Sequence, residues 1–272
     1  MKQVLIFGPT SWDTVVKIDK YPENGGFAQG LLRDERAGGA GLNIAAAVSS
    51  ARVETCLYSY VGTDEIGKDL KEQIDKLEIN SDNVKELPGP SLHAIITIDA
   101  EGERTIFALE KNRFAELNFE ITFSQNQIVV FPVWRDFYIS YLEKANTAGA
   151  KTIVGMAAIA NPNTTASYMI GSEKDFSDMK VDSGRFDTTI ITSGAGGVRI
   201  FNSTDSRVIP VRPTKVVDAT GAGDSFLSGV LVGLANQTSL ESAVKTGINW
   251  AAAAISETGS VPPKWREEFS LA

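Results

Sequence analysis

Residues 216–226 read VVDATGAGDSF, and the way this stretch is parsed decides the fold. Lys215-Val216-Val217 reads as the end of a strand, and Ala219 to Gly223 as a turn whose side chains are too small to cover its backbone N–H groups. From Ala222 onward, Phe226, Val230 and Leu234 recur at every fourth position with Leu227 and Leu231 beside them, which predicts a helix burying one face. The helix therefore starts among glycines. Its first-turn N–H groups have no intrahelical partner and carry the positive end of the macrodipole, so the backbone alone makes an anion site, with phosphate its natural occupant. Ser225, Gly229 and Gly233 form a stripe of small residues that predicts close packing against a second helix. Asp224 stands at the helix start, and spacing leaves two readings of it: an acid favoured by the dipole, or a carboxylate with chemistry of its own. Neither G-x-x-x-x-G-K-[ST] nor G-x-G-x-x-G with a following acid is found, which disfavours the P-loop and dinucleotide-binding readings.

Outward from this stretch the chain alternates strand and helix signals. QVLIFG (3–8), TCLYSYVG (55–62), QIVVFP (127–132), KTIVGM (151–156), SYMIGS (167–172) and TTIITSG (188–194) read as strands, several apolar on both faces as in a covered parallel sheet. In EIGKDLKEQIDKL, the residues Ile66, Leu70, Ile74 and Leu77 share one helix face. A later helix is predicted to open with a capping box, Thr238-x-x-Glu241, and to bury Leu240, Val244, Ile248, Ala251 and Ile255. The alternation implies a layered α/β fold with right-handed crossovers and a ligand site beyond the carboxyl ends of the strands. One section breaks the rhythm: HAIITIDAEGERTIFALE (93–110) is a hairpin with glycine in its turn, either an edge of the main sheet or part of a small lid. Segment 14–36 also alternates polar and apolar residues around Pro-Glu-Asn-Gly-Gly turn chemistry, so a lid built from about 14–36 and 90–110 within a single domain over 1–272 is expected.

Composition narrows the partners. The 272 residues carry 26 Lys and Arg against 34 Asp and Glu, a net charge of −8 with no basic run, which argues against nucleic acid. A strand signal begins at Gln3 with no signal-peptide pattern before it, and the long uncharged stretch from Ser225 to Leu240 is broken by Ser, Gly and Asn; a cytoplasmic protein without a membrane segment is expected. The single cysteine, Cys56, excludes an internal disulfide and a cysteine-cluster metal site. His93 is the only histidine and reads as a lid-surface residue; Lys68 and Arg104 read by default as solvated surface positions.

DATGAGDSF (218–226) closely resembles the D-T-x-G-A-G-D signature of the ribokinase-like carbohydrate kinases, the phosphofructokinase-B type. RAGGAGLNIAAA (36–47) is similar to that family's glycine-glycine substrate motif, VGTDEIGKDL (61–70) to its G-x-D-x-x-G element, and ITSGAGGV (191–198) to its nucleotide-binding strand and loop. The matches stand in the family's order and span most of the chain. The resemblance implies a ribokinase-like three-layer α/β/α sandwich with a mostly parallel central sheet and a small β-lid. It implies transfer of the ATP γ-phosphoryl group to a hydroxymethyl oxygen of a sugar or sugar derivative. Asp224 would be the base, with Gly221, Ala222 and Gly223 as the anion hole; Asp13, Gly38, Gly39 and Asn43 would bind the acceptor. Thr192, Gly194, Gly197 and Thr220 would lie along ATP, with Asn249 and Trp250 against the adenine; packing is the equal reading of Trp250. Mg2+ is expected, held largely by ATP phosphates and water, with Ser172 and Asp175 of GSEKD standing where the family has Asn and Glu. A monovalent cation, K+ in many relatives, would lie near Asp218 and the SETGS loop (256–260).

The chemistry agrees with the resemblance. A loose phosphoryl-transfer transition state needs fixed dipoles, and an alcohol needs an acceptor for its proton. Two departures concern the acceptor: Ala40 stands where ribokinases proper carry lysine in G-G-K-G-A-N, and VVFPVWRDF lacks the glutamate they commonly have. Both departures count against D-ribose, and the sequence does not name the acceptor. A nucleoside kinase of the same fold, and a non-catalytic sugar- or nucleotide-binding regulator, are the alternative readings; a lid that exposes one face would also allow a homodimer.

Overall fold

The computed structural model describes residues 1–102, 104–176, 184–257 and 261–270. Its centre is a nine-stranded sheet that is parallel except at one edge. The parallel strands are β1 (Gln3–Phe7), β4 (Thr55–Gly62), β5 (Val84–Leu87), β8 (Gln127–Phe131), β9 (Lys151–Gly155), β10 (Ala166–Ser172) and β11 (Phe186–Thr192). Strands β12 (Val198–Phe201) and β13 (Ser206–Ile209) add an antiparallel edge, giving the order β13-β12-β11-β10-β9-β8-β1-β4-β5.

Alternate residues of each strand enter two separate cores, as a sheet covered on both faces requires. Val4, Ile6, Leu57, Val61, Ile128 and Val130 meet α1 (Ala40–Ser50), α2 (Glu65–Ile74), α4 (Ala222–Ala235) and α5 (Leu240–Ile255). Leu5, Phe7, Tyr58, Val129 and Phe131 meet α3 (Ile139–Thr147) and the aromatic residues Phe114, Phe119 and Phe123. Phe7 stacks on Tyr58 with ring centroids 4.3 Å apart. The small-residue stripe does pack closely: a Cβ on Gly229 would lie 2.6 Å from the Gly247 Cα, and one on Gly233 2.5 Å from the Ala243 Cα.

A second sheet of four strands, in the order β3-β2-β6-β7, is made from β2 (Ser11–Ile18), β3 (Gly30–Gly38), β6 (His93–Ile98) and β7 (Arg104–Ala108). Both segments singled out in the sequence thus contribute to it, and 93–110 is not an edge of the main sheet. Two expectations fail. Lys215-Val216-Val217 is not a strand: Val216 and Val217 are exposed, and the Val217 and Asp218 N–H groups donate to the Ile255 carbonyl at the end of α5. The β-branched run has no strand partner among the described residues, and the α5 terminus supplies its backbone acceptor instead. The cap of α5 is Ser239, whose hydroxyl accepts from the Ser242 N–H, because the Thr238 hydroxyl donates to the Gly233 carbonyl near the end of α4.

Candidate active site

The carboxyl end of β1 runs through Gly8 and Pro9 into β2, and this crossing meets the start of α1. Gly39, the N-cap of α1, has φ 91°, and a Cβ there would lie 2.6 Å from the Pro9 carbonyl oxygen. Only glycine combines that dihedral with that approach. One residue earlier, a Cβ on Gly38 would fall 2.1 Å from Asp13 Oδ2. The glycine pair therefore makes room for a carboxylate. Asp13 is buried on β2 and accepts from the Ser11 hydroxyl at 2.7 Å. Burial pushes its carboxyl above the usual range, opposed by Ser11, Arg36 and His93.

Helix α4 approaches the same place with its N-terminus. Gly221 is its cap in the left-handed region, φ 80°, and the turn before it is closed by the Thr220 N–H donating to Asp218 Oδ1 at 2.8 Å. The N–H groups of Gly223 and Asp224 have no acceptor among the described residues, and the space a Cβ on Gly223 would enter is open to 4 Å. The buried Thr220 hydroxyl is also without a partner there. An orphaned hydroxyl and free N–H groups around open space fit the oxygens of a phosphoryl group.

Asp224 joins the two halves. Its Oδ2 accepts from Asn43 Nδ2 at 3.0 Å, a bond between the first turns of α4 and α1 across 181 residues of chain. Burial pushes the Asp224 carboxyl up to about 6; the Asn43 bond and the Arg104 guanidinium oppose the rise, and the nearby Asp13 charge adds to it. A carboxylate near 6 is mostly ionised at neutral pH yet basic enough to take a proton from a bound hydroxyl.

The structure thus brings together Asp13, Gly38, Gly39, Asn43 and the 220–224 turn. Thr192 ends β11, and Gly194 and Gly197 form the tight turn that follows, closed by the Ser193 N–H on the Gly197 carbonyl. Trp250 is different. It is fully buried, donates Nε1 to the Pro263 carbonyl and packs against Trp265 and Phe269, so the packing reading accounts for its indole. The neighbouring Asn249 donates to the Phe269 carbonyl. Asp218 is buried within the signature turn. Ser172 ends β10 and accepts from the Lys174 N–H, whereas the side chain of Asp175 and residues 258–260 of the SETGS loop lie outside the described residues. No group of three or more acidic, histidine or cysteine residues suited to a metal occurs among the described residues.

Sequence reasoning missed Ser11 and Arg36 beside Asp13 and gave Arg104 to solvent. Arg36 lies directly opposite Asp13 in the β2–β3 ladder, a neighbour that only the register reveals. Arg104 shares the face of Asp13 through Ala94, Ile98 and their pairings, although it is exposed.

An α/β enzyme with a backbone anion cradle facing a raised carboxylate belongs to the class of phosphotransferases acting on an alcohol. The comparisons narrow this. The chain matches the profile of the pfkB family carbohydrate kinases over residues 10–163 and 140–266, and it belongs to that family. It is 27% identical to the bifunctional ribokinase/ribose-5-phosphate isomerase A of Fructilactobacillus sanfranciscensis, over 85% of this chain and 48% of that one, so it spans about half of that relative. In fold it is similar to the ribokinase of Thermotoga maritima, with TM-score 0.81 and 22% identity over 100% of this chain and 98% of that one. It is similar too to a nucleoside kinase of Methanocaldococcus jannaschii, with TM-score 0.78 and 22% identity over 97% and 96% of the two chains.

Proposed function

We propose that this protein transfers the γ-phosphoryl group of ATP to a hydroxymethyl oxygen of a sugar or sugar derivative. The observation that carries the reading is the bond from Asn43 to Asp224, which joins the glycine-glycine motif to the signature beside first-turn N–H groups that have no acceptor among the described residues. Asp224 takes the proton of the acceptor hydroxyl, and the backbone of Gly221, Ala222 and Gly223 with the Thr220 hydroxyl receives the negative charge of the transferring group. Asp13 accepts from acceptor hydroxyls, and the Asn43 amide keeps the base in place. ATP lies along Thr192, Gly194 and Gly197, and its phosphates carry Mg2+; a monovalent cation such as K+ binds near Asp218. The four-stranded sheet closes over the acceptor as a lid.

A coupled ATP-consumption screen over pentoses, hexoses, their phosphates and nucleosides tests the reading; ATP binding without turnover on any of them would favour a regulator instead. A nucleoside acceptor is the second reading. It is supported by Ala40 in place of the ribokinase lysine and by the likeness to a nucleoside kinase in fold. Leu32 and Ile106 are exposed apolar residues on the lid face that carries Asp13, and they support a homodimer through the lid. A single 29-kDa-class particle in light scattering at micromolar concentration would exclude that dimer. Among the described residues no helix is long and apolar enough to cross a membrane, and the acidic balance with one free cysteine supports residence in the cytoplasm.

A further inference from the structure

The element Gly62-x-Asp64-x-x-Gly67 has no part in the chemistry above, yet it sits in a dense knot of hydrogen bonds. Asp64 caps α2 by accepting from the Gly67 N–H at 2.9 Å. The same carboxylate also accepts from the Ser91 N–H at 3.0 Å and from the Ser91 hydroxyl at 2.6 Å. Ser91 is buried, and its hydroxyl oxygen in turn accepts from the Gly62 N–H at 2.8 Å, at the carboxyl end of β4. A Cβ on Gly62 would lie 2.4 Å from both the Gly89 carbonyl oxygen and the Ser91 nitrogen, so the crossing needs glycine. Thr63 and Gly89 exchange two more bonds, N–H to carbonyl at 2.9 Å and N–H to hydroxyl at 3.1 Å.

Residues 88–92 are the strand of chain that leaves β5 and enters β6. The return path is fastened to the same corner: the Arg113 N–H donates to the Tyr60 hydroxyl, and Arg113 Nη1 donates to the Pro88 carbonyl. Both ends of the β6–β7 hairpin are thus tied to the end of β4. Strand β6 pairs in parallel with β2 from Trp12–His93 to Lys17–Ile98, and Asp13 lies within that ladder. A shift of the hairpin root is therefore carried to Asp13 through backbone hydrogen bonds.

We propose that Asp64 is a positioning residue that fixes, through Ser91, the angle at which the four-stranded sheet and Asp13 stand over Asp224. Its carboxyl is held below the usual range: burial pushes it up, and the hydrogen bonds from Ser91 and Gly67 outweigh that push. The cap and the clasp are separable roles. Asparagine caps a helix as well as aspartate does, so Asp64→Asn keeps an acceptor for Gly67 while its amide opposes the Ser91 N–H donor. Ser91→Ala removes the hydroxyl and leaves the cap untouched.

Amide hydrogen exchange on the full chain without ligands tests this directly. Both variants are expected to raise exchange by about tenfold or more in peptides covering 11–18 and 93–98, the consequence of losing about one net hydrogen bond at the root. Peptides covering 127–131 and 151–155 in the main sheet stay at wild-type rates. Changes confined to 62–70, equal changes throughout, or no change would each overturn the proposal. The consequence for turnover rests on the kinase reading. With the acceptor found in the screen, both variants raise its KM and lower kcat while KM for ATP stays unchanged, and an unchanged acceptor KM would overturn the link to Asp13. The exchange result stands or falls without any acceptor, so failure of the clasp and failure of the kinase reading remain distinguishable.

Discussion

Replacing Asp224 by asparagine should make the protein more stable and almost inactive, and the stability gain should depend on pH. The folded carboxyl sits at about 6 against an ordinary 3.8, so the folded chain binds this proton more tightly than the unfolded chain does. Above about 6 the ionised carboxylate therefore opposes folding, and below about 4 the opposition is gone. A rise of roughly two pH units corresponds to about 3 kcal/mol, and the part of Asp224 still open to water trims this to about 1–3 kcal/mol. Asparagine removes the charge and keeps a carbonyl oxygen for the Asn43 donor. For a chain of this size, about 1 kcal/mol moves Tm by about 2–4 °C, so Asp224→Asn should melt several degrees higher at pH 7.5. The difference should shrink as pH falls through 6 and vanish near 4. Thermal melts of both proteins from pH 4 to 8 measure it, with kcat read in parallel on the acceptor from the screen, where a loss of about a hundredfold or more is expected. A variant that melts lower than wild type at pH 7.5, or by an offset independent of pH, would refute the account of Asp224 as a carboxylate strained by burial.

The neighbours of Asp224 should move the acid limb of the kcat profile in opposite directions. Asn43→Ala removes the bond that favours the ionised form and should shift the limb up by about one pH unit or more, whereas Asp13→Asn removes a neighbouring negative charge and should shift it down; limbs that coincide with wild type would remove both groups from the site. Gly38→Ala puts a methyl group 2.1 Å from Asp13 Oδ2 and must displace that carboxylate, so acceptor KM should rise at least about tenfold with KM for ATP unchanged, and equal changes in both would place the effect elsewhere. Replacing sodium by potassium in the assay should raise kcat, and Asp218→Asn should abolish the response; a wild-type rate indifferent to the cation would sink the monovalent site.

The layered fold was legible because its signals are local. Every predicted main-sheet strand from Gln3 to Thr192 forms, several of them apolar on both faces as a covered sheet requires. The Val216-Val217 pair misled for the same local reason: β-branched residues favour extended backbone, but a strand also needs a neighbour, and these residues find the end of α5 instead. The capping box failed by one residue because Thr238 had a second acceptor, the Gly233 carbonyl, that no window of sequence contains. At the candidate site, the glycine-glycine motif and the signature, quoted from sequence, are brought together by the Asn43–Asp224 bond. Arg36, Ser11 and Ser91 were not legible in the sequence, because each matters through a partner fixed by register or by a loop crossing rather than by its own position in sequence.

The site also resolves the conflict posed by an acid in an anion-binding turn. A helix N-terminus lowers the pKa of a carboxylate in its first turn, and a base with an ordinary or depressed pKa would take a proton from an alcohol poorly. Here burial and the Asp13 charge push Asp224 the other way, while Asn43 limits the rise so that the carboxylate remains largely ionised at neutral pH. The N–H groups of Gly223 and Asp224 have no acceptor among the described residues, and the side chain of Asp224 is drawn by Asn43 toward α1. The same helix start can thus hold a negative charge on its backbone and a proton acceptor on its side chain, provided that the two point at different partners. Any substitution that let the carboxylate fold back onto its own first-turn N–H groups would satisfy the dipole and lose both functions at once.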